Sequence, residues 1–166
     1  MKQLLLDPEN PGIGDGQTGR SQADLMTIMV ERFNIDELAE SILTTGFKPF
    51  DPIVGYWKGY QVVVREGNRR TATLKLLLDP TQSPPGKKAE WKQRADRVDE
   101  SLRKQITSVE VTVYDEEHSE EVDAYVGFRH VTGVLKWEPE ERAKYVADLI
   151  DRYGWGYEEI AERLGS

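Results

Sequence analysis

The stretch VVVREGNRRTATLKLLL, Val62–Leu78, changes character at its midpoint. A β-branched run ends in Arg65, Glu66 and Gly67, and a helix-like pattern then opens with Arg69 and Arg70. A strand that turns at a glycine into a helix leaves backbone N–H groups unpartnered at the helix start, and the helix dipole makes that end attractive to anions. Two arginines are therefore misplaced there by dipole logic, at a cost of about a few tenths of a kcal/mol. A phosphate would supply the missing anion, because guanidinium groups match its oxygens bidentately and Gly67 lets the backbone come close. On that reading Arg70 contributes nothing favourable to the empty fold, and Arg70→Ala should leave the thermal melt unchanged. The alternative is structural: Arg69 pairs with Glu66 or another acid, and Arg70 lies along the surface.

Outward from this stretch, the pattern predicts an α+β domain. Upstream, Ser21 and Asp24 form a capping-box start, followed by Leu25, Ile28, Met29 and Phe33 at helical spacing. Asn34 with Glu37 repeats the capping pattern for a second helix that ends at Gly46 in the left-handed conformation. PIVGYWKGYQVVVRE reads as a hairpin around Lys58-Gly59, and the helix from about Arg69 stops at Asp79-Pro80. TQSPPGKK is a loop by composition. Downstream, Trp91, Ala95, Val98, Leu102 and Ile106 predict one long amphipathic helix, and Val109, Val111 and Val113 alternate as a half-buried strand. Further helices follow in HSEEVDAYVGF, in EPEERAKYVADLIDRYG with Ala143, Val146 and Ile150 inward, and in GYEEIAERLGS with Ile160, Ala161 and Leu164 on one face. The expected sheet is small and mixed, built from residues near 53 to 65 and 109 to 114 and flanked by helices.

Composition bounds the chemistry. A chain of 166 residues suits one domain with a core, 38% hydrophobic content excludes disorder, and 31% charged residues gives a well-solvated surface. No apolar run reaches the roughly 20 residues needed to span a bilayer, so a soluble, cytoplasmic protein without membrane contact is expected. Without cysteine there is no disulfide, no thiolate nucleophile and no Cys-based zinc site. The net charge of −8 argues against general affinity for nucleic acid, yet Arg65, Arg69, Arg70 and Lys75 face a single anion, Glu66, within their own stretch. A second cluster, Arg129, His130, Thr132 and Gly133, offers a cation, an imidazole, a hydroxyl and a flexible glycine, types that suit an anion site. His130 is also the candidate acid or base, against a purely structural role. The acidic run Glu116, Glu117, Glu120 and Glu121 is read as a solvated face, so no metal ligands are assigned, and Trp137 is read as core.

DELAESILTTGF, DPIV, YQVVVREGNRRTATLKLL and RHVTGVLKWEPEERAKYVADLI resemble, in order and spacing, the amino-terminal domain of the ParB family of partition proteins, a fold shared with sulfiredoxin. The resemblance runs from about Asn10 to Ile150. It implies that Glu66, Gly67, Asn68, Arg69 and Arg70 form the phosphate-binding turn of a nucleotide site. That turn is typically Gly-Glu-Arg-Arg; here Asn68 stands at the glutamate position, able to donate to a phosphate but not to act as an anionic ligand. This looks like a ParB-like subgroup. Arg129, His130, Thr132 and Gly133 occupy the region where partition proteins close a second motif on triphosphate and magnesium, without matching it one for one. GWGYEEIAERLGS resembles the first helix of the helix-turn-helix that follows. The expected division is therefore a domain over 1–153 and the start of a truncated helix-turn-helix over 154–166, whose last helix packs loosely and exposes Ile160 and Leu164.

The function so implied is a nucleoside-triphosphate-binding switch with Mg2+, in a DNA-associated protein whose DNA contacts lie outside this sequence, with ligand-dependent self-association. Two alternatives stay open: a ParB-like nuclease or NTP-dependent phosphotransferase, and a module that binds DNA backbone without nucleotide. Sulfiredoxin-type repair is excluded because it needs a cysteine.

Overall fold

A computed structural model describes residues 1–13, 20–132 and 138–164. Its strands are β1 (Leu4–Leu6), β2 (Ile53–Lys58), β3 (Gln61–Glu66) and β4 (Val111–Tyr114). The α-helices are α1 (Gln22–Arg32), α2 (Ile35–Thr45), α3 (Asn68–Leu78), α4 (Lys88–Ala95), α5 (Glu100–Thr107), α6 (Ser119–Gly127), α7 (Pro139–Tyr153) and α8 (Tyr157–Leu164). The class is α+β with a small mixed sheet. Gly133 and Trp137 lie outside the described residues, as do the side chains of Thr132, Ala161 and Leu164.

The sheet has the order β1-β3-β2-β4, with β2 and β3 an antiparallel hairpin and each outer strand parallel to its neighbour. The hairpin turns at Gly59, whose φ is 64°. The register slips between Val54 and Gly55, and a Cβ on Gly55 would stand 2.4 Å from the Val63 carbonyl oxygen. The close approach at this irregularity requires glycine. One sheet face meets a large core in which Leu6, Leu25, Met29, Leu74, Leu77, Trp91 and Ile106 are buried. On the other, Val54 packs with Val122 and Val126 of α6.

Several sequence expectations need correction. Sequence reading missed β1: its Leu-Leu-Leu run is three residues long and does not alternate, and a strand buried beside a parallel partner needs no polar face. The single helix expected over Trp91–Ile106 is two helices. Asp99 breaks it by capping α5, its carboxylate accepting from the Leu102 N–H at 2.8 Å. Asn34 makes no side-chain cap to α2; it adopts φ 47° instead. Gly46 does end α2 with a positive φ, but its ψ of 165° places it outside the left-handed helical region. Ala143 faces solvent, and α7 buries Tyr145 and Leu149. Ile160 is only 4% exposed, packed in a cluster with Tyr145, Leu149 and Trp155, so it is not the exposed position expected of a loose tail.

Candidate phosphate-binding cleft

The β3–α3 junction begins as the sequence implies. Val62, Val63 and Val64 are buried in the sheet, and Gly67, with φ 94°, is the N-cap of α3. A Cβ there would meet Ile53 Cγ1 at 3.1 Å and Arg70 Nη2 at 3.2 Å, so both its conformation and its surroundings demand glycine.

Asn68 is buried, and its side chain is spent on backbone. The amide nitrogen donates to the Val64 carbonyl at 2.7 Å, and the amide oxygen accepts from the Asp7 N–H at 3.0 Å. It joins β3 to the chain leaving β1. Asn68 therefore has a structural role, and one amide N–H is left over for a ligand in the cleft that it lines.

The two arginines diverge. Arg69 is exposed and donates to the Asn34 carbonyl at 2.9 Å, which the unusual backbone of Asn34 presents. Arg70 turns back to the carbonyls of Asp51 and Pro52 and stands 3.7 Å from Glu66. Burial disfavours its charge, and although Glu66 and Asp51 favour that charge, its pKa stays below the ordinary arginine value. Arg70 is thus a structural clasp whose charge burial disfavours. The expectation that it adds nothing to the empty fold is overturned.

Of the second cluster, the described side chains Arg129 and His130 reach this junction. Beyond α6 the chain forms a π-helical turn, Phe128–Thr132. From it His130 Nε2 approaches Glu66 Oε2 at 2.5 Å, and Arg129 pairs with Asp51 at 3.2 Å while resting on the Tyr125 ring. With Glu66 ionised, Nε2 carries the hydrogen and donates. Burial lowers the pKa of Arg129, but the Tyr125 hydroxyl and the Glu66 and Asp51 carboxylates more than offset it, so its pKa lies above the ordinary value.

Glu66, Gly67, Asn68, Arg69, Arg70 and His130 all line one cleft of about 460 Å³. Sequence reading missed its other charged walls: Asp51, and Glu138 and Glu141 at the start of α7. Glu141 accepts from the Glu138 N–H at 2.8 Å, a capping box whose sequence signature is present but whose position across the cleft is a tertiary fact.

Behind the cleft, a buried network sets the position of α6 and hence of His130. Arg65 donates to Asp7 at 2.7 Å and, through two nitrogens, to Asp123. The second oxygen of Asp123 accepts from Tyr153 at 2.7 Å and Arg152 at 3.2 Å, and its carbonyl accepts from Tyr145. Burial disfavours the Arg65 charge, but Asp7 and Asp123 outweigh it and hold the guanidinium charged. A larger cleft of about 720 Å³ opens on this network beside Trp57 and Lys58. The charges on its floor are already paired.

No protein-family model matches the chain, and no curated protein or solved structure matches it significantly. Asp115, Glu117 and His118 could together reach a cation, but all three are exposed and Glu117 belongs to the run read as a solvated face. No described helix is long and apolar enough to cross a membrane.

Proposed function

We propose that this domain is a ParB-like nucleotide switch: a nucleoside triphosphate with Mg2+ binds the β3–α3 turn and draws the Arg129–His130 segment onto it. One observation carries the reading. Two segments some sixty residues apart, each chosen from sequence for its anion-binding residue types, meet through Glu66 and His130 at 2.5 Å across a cleft that also holds Arg69 and Arg70. Arg70 adds support, since a cation whose charge burial disfavours gains from a bound anion. The carboxylates Asp51, Glu138 and Glu141 around the same cleft favour a triphosphate accompanied by a divalent cation over a bare one. The ParB/sulfiredoxin fold and the DNA association belong to this proposal through the residues that carry the resemblance.

A second reading draws on the same pair. An imidazole held by a carboxylate is the arrangement of a general base, which favours the nuclease or phosphotransferase alternative with His130 as the acting group. Isothermal titration with each of the four nucleoside triphosphates plus Mg2+ tests the first reading. One site per chain is expected. No saturable binding by any of the four removes it.

A further inference from the structure

Glu66 stands where the two halves of the cleft join. It ends β3, is 5% exposed, and touches His130 through Oε2 at 2.5 Å and Arg70 through Oε1 at 3.7 Å. Arg70 and His130 are the groups a phosphate would contact, so the Glu66 carboxylate occupies the place of a phosphate oxygen. A tethered carboxylate competes at high effective concentration with any anion arriving from solution, and repels it as well.

We propose that Glu66 is a built-in counter-anion that makes the cleft admit polyphosphates and refuse monophosphates. The proposal rests on the nucleotide reading above and assigns its selectivity. A monophosphate brings about two negative charges and offers Arg70 and His130 little beyond what Glu66 already gives them. A nucleoside triphosphate has oxygens enough to take Arg69 as well, and the cleft's other carboxylates, Asp51, Glu138 and Glu141, face its divalent cation. The exchange has a local consequence: when Glu66 leaves, His130 trades this contact for the bound phosphate, while Arg129 of the same turn keeps its pairing with Asp51.

The test compares the wild-type protein with Glu66→Gln, which keeps side-chain size and removes the charge. The probes are inorganic phosphate and the four nucleoside triphosphates with Mg2+, followed by calorimetry and by the ring resonances of His130. The wild type should bind a triphosphate and no measurable inorganic phosphate, with the His130 resonances shifting on binding. Glu66→Gln should bind the triphosphate about tenfold tighter, acquire phosphate binding, and show a smaller His130 shift. If its melt shows that the variant does not fold, Glu66→Asp, which withdraws the carboxylate by one methylene, should move affinity in the same direction to a smaller extent. Triphosphate binding by the wild type that neither variant strengthens overturns this proposal alone. Absence of triphosphate binding in every protein overturns the nucleotide reading and this proposal with it.

Discussion

Arg69 and Arg70 are adjacent in sequence and opposite in role, and the difference is measurable. Arg69 is exposed and holds one carbonyl, whereas Arg70 clasps two carbonyls and faces Glu66. Arg69→Ala should weaken triphosphate binding about ten- to a hundredfold with a nearly unchanged melt, since it removes a charge-assisted contact made with ligand. Arg70→Ala should weaken binding similarly and also cost about 1–3 kcal/mol of stability. Binding titrations and thermal melts on both variants check the pair; equal melts would contradict the clasp. Lys75 gives a pH prediction. It is half-buried, makes no ion pair among the described residues, and burial lowers its pKa below the ordinary lysine value. The unfolded chain then binds the extra proton between the two values, so stability rises with pH across that interval. Lys75→Met should raise the melt near neutrality, and its advantage should vanish above about pH 10.4, where lysine is neutral in both states. Melts from pH 7 to 11 test this, and an advantage that persists unchanged at the top of the range would count against it.

At the scale of elements, the legible parts are those in which local chemistry decides. The capping box of Ser21 and Asp24, the hairpin at Gly59 and the strand–glycine–helix junction at Gly67 each follow from residue types at fixed spacing. The parts that were not legible depend on distant partners. Nothing local marks Leu4–Leu6 as a strand, because its pairing with Val62–Val64 arises across the sheet. Asn34 looks like a cap and instead offers its carbonyl to Arg69, thirty-five residues on. The cleft was half legible: residue types chose Arg70 and His130, but the burial of Asn68 and the acids of α7 emerge only once the chain is folded.

At the scale of the whole molecule, the sheet separates a large core beneath α1–α5 from a smaller cluster formed by α7, Trp155 and α8. The smaller cluster has few members, so each counts. Ile160→Ala should cost roughly 2–4 kcal/mol through lost burial and a residual cavity, lowering the urea midpoint without changing the slope. A midpoint equal to that of the wild type would mean that residues after Tyr153 are not integral to the domain.

The π-helical turn at Phe128–Thr132 makes the chain sensitive to length as well as to residue identity. A helical residue turns the chain by about 100°, so the number of residues between α6 and His130 sets the direction in which the wide turn that follows α6 presents its side chains. Deleting Phe128, which is 52% exposed, should rotate Arg129 and His130 by about that angle relative to α6, away from Asp51 and Glu66. Such a deletion should abolish triphosphate binding although every side chain assigned to the cleft is still present, and a deletant that retains full affinity would show that this turn does not set the aim of His130.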